Sequence, residues 1–160
     1  MDKANVTLRP ALAEEQLMIG RLILENNLNP FGMSWKNFTV AADEENKLLG
    51  FGQIKKHDGV EELASLVVNK SQQGLGISTL LMDSLLARGK RPLWLMCESP
   101  LTAYYSPFGF EEVKEPSKLP SYFRRVDWFT RYALGGLFLL RGSYVAFMVL
   151  PESDENRTTL

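Results

Sequence analysis

The sequence predicts a mixed α/β domain, and three observations carry that prediction. An alternating strand pattern, a Leu-rich helical pattern and an all-apolar strand pattern follow one another over 63–68, 77–88 and 93–97. Ahead of them, shorter strand patterns separated by turn-forming residues describe a hairpin meander. The chain of 160 residues, 45% hydrophobic and 23% charged, has the size and composition of one globular domain that can bury a core without staples. A single domain over 1–150 with a polar tail over 151–160 is the expected organisation.

Taken in order, residues 6–9 read as a strand closed by Pro10. Glu14, Glu15 and Gln16 precede Met18, Ile19, Leu22 and Ile23 at helical spacing, so acids lie at the positive end of a helix dipole, and Asn26 and Asn27 end the pattern. Residues 28–35 are irregular but too apolar for a solvated loop. Strands follow over 38–42 and 48–55 with a turn over 43–46, and His57-Asp58-Gly59 carries hairpin-turn chemistry, which places the sole histidine in an exposed turn. The strand over 63–68 sets Ala64, Leu66 and Val68 on one face and Leu63, Ser65 and Val67 on the other. In the helix over 77–88, Ile77, Leu80, Leu81, Met82 and Leu85 form the apolar stripe and Gly89 is the stop. Residues 93–97 are nearly all apolar, as in a strand buried on both faces, which makes Cys97 a packing residue. Ser99-Pro100 opens a short helix reaching Tyr105. Strands over 109–114 and 144–150 and a helix over 128–140 complete the reading.

Bulk chemistry narrows the function classes. A formal net charge of −1 with no block of one sign gives no electrostatic reason to expect a nucleic-acid partner. One cysteine and one histidine are too few for a disulfide or a structural zinc site, so no metal is expected and a reducing, cytoplasmic location fits. The first residues lack a signal-peptide core. Residues 133–150 are apolar but contain Arg141, Gly135, Gly136 and Gly142, whereas a membrane span needs about 20 apolar residues without a central charge.

The segment with most chemistry is Gln73-Gly74-Leu75-Gly76-Ile77-Ser78-Thr79, between a strand and a helix. A helix starting at Ile77 presents unpaired N–H groups, and Gly74 and Gly76 remove side chains where an anion must come close. The dipole adds fractional positive charge, so a pyrophosphate can be held without lysine or arginine. Two glycines alone also describe a tight strand-to-helix turn. The segment is not a Walker loop and lacks the third glycine of a dinucleotide fingerprint.

With the strand before it and the Leu-rich helix after it, Gln73-x-x-Gly76-x-Ser78 resembles the phosphate loop of the GNAT superfamily of acetyl-CoA-dependent N-acetyltransferases, Ser78 standing where the family has glycine or alanine. Leu8-Arg9-Pro10-Ala11 looks like the family's first-strand ending, and Tyr104-Tyr105-Ser106-Pro107-Phe108-Gly109-Phe110 resembles its aromatic-Tyr-x-x-x-Gly-Phe signature. The segments Leu28-Asn29-Pro30-Phe31-Gly32 and Glu62-Leu63-Ala64-Ser65 look most like a cyanobacterial or plastid subgroup.

The resemblance implies a central, mostly antiparallel, splayed sheet flanked by helices, and acetyl transfer from acetyl-CoA directly to a primary amine of a small molecule or peptide. Acetyl-CoA would lie where the strand ending at Val68 splays from 93–97, with the backbone of Leu66, Val67 and Val68 along the pantetheine and the amides of Gln73, Gly74, Leu75, Gly76, Ile77, Ser78 and Thr79 on the pyrophosphate. Tyr105 is the candidate acid beside the sulfur, its alternative being an aromatic core residue. Pro107 is expected to push Ser106 out of helical geometry and to end the helix after Tyr105. Glu62 is the candidate base, with a solvated strand-end carboxylate as the alternative, and Glu98 is a second candidate for that role or for orienting the acceptor. Phe31, Met33 and Trp35 either wall the acceptor site or pack the core. Arg124 and Arg125 either shape the acceptor channel or are surface charge. The resemblance leaves a monomer or a homodimer open. Two other classes compete: a non-catalytic acyl-CoA-binding module, and an interaction protein docking through 134–140.

Overall fold

The computed structural model describes residues 6–30, 32–133 and 142–152, and the chain divides into two compact units. The first unit comprises Met1–Lys55 and Leu63–Gly89, the second Lys56–Glu62 and Lys90–Leu160.

In the first unit, β1 (Thr7–Pro10), β2 (Phe38–Ala42), β3 (Leu48–His57, to Lys55) and β4 (Val60–Val68, from Leu63) lie side by side in that order. β1 and β2 are antiparallel, pairing Thr7 with Ala42 and Pro10 with Thr39; β2 and β3 are also antiparallel, with a register shift between Ala41 and Ala42. β1 is the edge of this order, where Pro10 can join a strand despite its missing N–H. Helix α1 (Gln16–Glu25) starts after a 3₁₀ turn, Ala13–Glu15, that is held by Glu15: its carboxylate accepts the Leu12 N–H at 2.7 Å and two N–H groups of Arg9 at 2.9 and 2.8 Å. Asn27 ends α1 in the left-handed region at φ 55°. Ile19 and Ile23 of α1 pack with Phe38, Val40, Phe51 and Val67. Helix α2 (Ile77–Arg88) packs Ile77 and Leu81 against Ala41 and Leu49 in a separate cluster. Val40 and Ala41 are neighbours in a strand and so point to opposite faces, which puts α1 and α2 on opposite faces of this unit.

In the second unit, the tip of the β3–β4 hairpin leads to β5 (Leu93–Glu98), β7 (Val145–Leu150) and β6 (Glu111–Glu112) in the order β4-β5-β7-β6. β4 and β5 are parallel, pairing Glu61 with Leu93 and Glu62 with Trp94; β5–β7 and β6–β7 are antiparallel. Both units mix helix and strand, and the antiparallel pairings outnumber the parallel one. Helix α3 (Thr102–Tyr105) follows β5, and α4 (Ser121–Ala133) packs Phe123 with Trp94, Leu119 and Phe147. Among the described residues no helix is long and apolar enough to cross a membrane.

Four sequence expectations need correction. The helix expected over 128–140 runs over Ser121–Ala133, and 134–140 lie outside the described residues. Within that helix the residues that pack are Tyr122, Phe123 and Val126, at helical spacing, beside Leu119 from the segment before it. The strand expected over 109–114 shrinks to Glu111–Glu112, because Gly109, at φ 90°, is still turning the chain. Ser106 stays helical (φ −55°, ψ −40°) before Pro107: α3 ends at Tyr105 as expected, but the chain continues into a 3₁₀ turn, Ser106–Phe108, where the Ser106 hydroxyl donates to the Thr102 carbonyl at 2.9 Å. The preference against helical geometry before proline is outweighed by that local hydrogen bonding. Finally, β3 extends to His57, so the histidine ends a strand and the hairpin turn is Asp58-Gly59, with Gly59 at φ 79°.

Candidate active site

In the first unit, β4 delivers the chain to the glycine segment. Gly74 and Gly76 have φ of 81° and 78°, and Gly76 is the N-cap of α2 with no side-chain cap hydrogen bond. The first-turn amides of Ile77, Ser78 and Thr79 are therefore open to an anion at the positive end of a 12-residue helix. A Cβ built on Gly74 meets nothing within 4 Å, so the space in front of it is unfilled by protein. The Gln73 amide N–H donates to the Val68 carbonyl at 3.2 Å, tying the segment to the end of β4. These features fit a pyrophosphate. Leu66 and Val68 pack in the α2-side cluster with Leu75, and Val67 in the α1-side cluster. Met33 and Trp35 pack against the α1-side cluster, while Phe31 lies outside the described residues.

One feature of β4 has no sequence signal. Ser65 sits at φ 54°, which interrupts strand alternation, and its hydroxyl accepts an N–H of the Gln53 amide at 2.9 Å. A non-glycine residue held there costs roughly 1–3 kcal/mol and persists where surrounding structure over-determines it.

In the second unit, Tyr105 closes α3 and packs edge-on against Tyr104 and Phe110. Burial, with Cys97 and Tyr104 nearby, raises its phenol well above the ordinary tyrosine range. The hydroxyl thus stays protonated at any physiological pH. Burial likewise pushes the Cys97 thiol up to about 11, with Glu112 and Glu98 adding to the effect, so Cys97 is a thiol and not a nucleophilic thiolate at neutral pH. Glu98 is exposed at the end of β5.

Glu62 is buried, and it is paired with the histidine assigned to a turn by the sequence. His57 Nε2 lies 2.6 Å from Glu62 Oε2. The imidazole stacks on Tyr122, with ring centroids 3.6 Å apart and planes 10° from parallel, and meets Phe123 edge-on at 6.1 Å. The Tyr122 phenol is raised by burial and then by Glu62. At the rim Arg125 reaches Asp58 at 3.7 Å, both side chains exposed. Reading the turn as Asp58-Gly59 alone would have exposed the pair, because residues flanking a two-residue turn make 57 and 62 diagonal cross-strand neighbours on one face.

The family model of the acetyltransferase (GNAT) domain matches residues 23–124. No curated protein matches the chain. Among solved structures, N-acetylglutamate synthase from Neisseria gonorrhoeae, complexed with coenzyme A and N-acetyl-glutamate, aligns with a TM-score of 0.69 at 18% identity, covering 94% of this chain and 36% of its own. Rv2747 from Mycobacterium tuberculosis, in complex with CoA and NLQ, aligns with a TM-score of 0.70 at 17% identity, covering 92% of this chain and 99% of its own. Escherichia coli ElaA aligns at 0.60 and 15%, covering 92% and 99%. The chain thus spans 36% of the length of the synthase, and these identities show a common fold.

Proposed function

The chain belongs to the GNAT acetyltransferase family, and from that premise we propose that it moves the acetyl group of acetyl-CoA directly to a primary amine. The observation that carries the reading is the uncapped N-terminus of α2 behind Gly74 and Gly76, both in left-handed geometry after an apolar strand. Acetyl-CoA, when bound, supplies a thioester whose carbonyl carbon is open to attack by an amine. The amides from Gln73 to Thr79 would hold its pyrophosphate, and the backbone of Leu66, Val67 and Val68 would run along the pantetheine. The Tyr105 hydroxyl, kept protonated by burial, donates a hydrogen bond to the sulfur as negative charge develops there. The pair formed by Glu62 and His57 removes the proton of the acceptor's ammonium group. Glu98, exposed at the end of β5, is assigned to orienting the acceptor. The synthase crystallised with N-acetyl-glutamate makes amino acids the first acceptors to try.

Release of free CoA from acetyl-CoA, read with a thiol reagent across amino acids, polyamines and arylalkylamines, tests the reaction. Turnover with at least one amine is expected. Acetyl-CoA stabilisation of the fold by about 2.7 kcal/mol at a hundredfold excess over Kd, without turnover, would leave an acyl-CoA-binding module. No stabilisation at millimolar acetyl-CoA would remove the cradle itself.

A further inference from the structure

Building on the acetyltransferase reading, we propose that the atom that takes the acceptor's proton is Nδ1 of His57, and that Glu62 is the positioning carboxylate behind it. The Glu62 side chain is 2% exposed and its Oε2 is occupied by the imidazole, whereas the His57 side chain is 16% exposed. The member of the pair that can meet an incoming molecule is therefore the ring. A carboxylate accepting the Nε2–H holds the tautomer in which Nδ1 carries a lone pair. Among the described residues that nitrogen makes no hydrogen bond. The stacked Tyr122 ring and the edge of Phe123 restrict rotation of the imidazole, so its free nitrogen is aimed rather than averaged. This is the division of labour of a carboxylate–imidazole pair in acyl transfer: the buried acid orients the ring and stabilises the imidazolium, and the ring moves the proton.

The step balances. One N–H bond of the acceptor's ammonium breaks, its proton goes to Nδ1, and the electron pair stays on nitrogen. That pair forms the C–N bond to the acetyl carbon as the C–S bond breaks and its electrons pass to sulfur. The nitrogen's second surplus proton leaves with the sulfur as the thiol. The positive charge gained by His57 is offset by Glu62, whose Oε2 lies 2.6 Å from the ring.

The chain has a single histidine, so its imidazole nitrogens can be read by long-range ¹⁵N–¹H NMR without assignment. The expected spectrum at mildly alkaline pH shows a protonated Nε2 and a bare Nδ1, and Glu62→Gln mixes the two tautomers. In the CoA-release assay, His57→Phe, which keeps a ring to stack on Tyr122, and His57→Gln, which keeps a donor for Glu62, both lower kcat by about 100-fold or more with unchanged stabilisation by acetyl-CoA. Glu62→Gln costs less than either. A protonated Nδ1 in the wild-type spectrum overturns the proposal. So does a His57→Gln variant that keeps its rate, since an amide can hold Glu62 but cannot take a proton. If the wild-type chain releases no CoA with any amine, the acetyltransferase reading falls and the role of His57 with it; turnover that survives in His57→Gln removes His57 alone.

Discussion

Tyr105 shows how burial narrows a chemical role that residue type leaves open. A phenol near its ordinary pKa could share its proton with a departing thiolate. Raised by burial, the Tyr105 phenol holds that proton, so the contribution we propose for it is a hydrogen bond to developing charge. Tyr105→Phe is therefore expected to lower kcat about 10- to 100-fold, the equivalent of one charge-assisted hydrogen bond of about 1.5–3 kcal/mol, and to leave the acetyl-CoA Kd within about twofold of wild type by calorimetry. Unchanged kcat would return Tyr105 to the core. The signature around Tyr105 was legible because it is contiguous in sequence. The His57–Glu62 pair was not, because moving the hairpin turn by one residue takes His57 from a solvated turn to the strand face it shares with Glu62, its diagonal neighbour.

At the scale of elements, the cradle depends on how α2 is seated as much as on its own glycines. Cβ atoms built on Gly50 would lie 2.7 Å from the Val67 carbonyl oxygen and 3.3 Å from Leu81, so the glycine of β3 lets β4 and α2 approach. Backbone cannot give way as a side-chain tip can, and Gly50→Ala is expected to cost about 1–3 kcal/mol in urea denaturation. Gly74→Ala probes the opposite situation. Its Cβ meets no protein atom within 4 Å, so the penalty to the fold is only that of a left-handed alanine, roughly 1 kcal/mol. Acetyl-CoA binding by calorimetry is expected to weaken by at least about tenfold, because the methyl group enters the space we propose for the anion. Equal affinity in the two proteins would mean the phosphates lie elsewhere. The glycine loop was readable from sequence because helix-start chemistry is local; the seat under α2 was not, since nothing near Gly50 in the chain marks Val67 and Leu81 as its neighbours.

For the whole molecule, the buried neutral groups of the second unit make a statement about pH. Cys97, pushed up to about 11, and Tyr105, also raised, both bind their protons more tightly folded than unfolded. The stability they contribute is complete below the unfolded values, about 8.5 and 10, and is lost as pH rises toward the folded ones. Denaturant unfolding is therefore expected to show stability falling from about pH 9 upward, and Cys97→Ala to flatten the first part of that decline. A wild-type profile level to pH 11 would contradict it. What the sequence determined by itself depends on near neighbours in the chain: the strand-helix-strand order, the boundaries of β2 and α2, the left-handed Gly74 and Gly76, and the family's motif around Tyr105. Tertiary structure alone decided the rest. The pairing of Glu62 with His57 and Tyr122, the left-handed Ser65 held by Gln53, and the register of α4 on Trp94 and Phe147 each join residues that are distant in sequence or turn on a one-residue register. Propensity and spacing describe which residues can meet, but only packing, by choosing one register and excluding water from it, decides which of them do and what protonation state they keep.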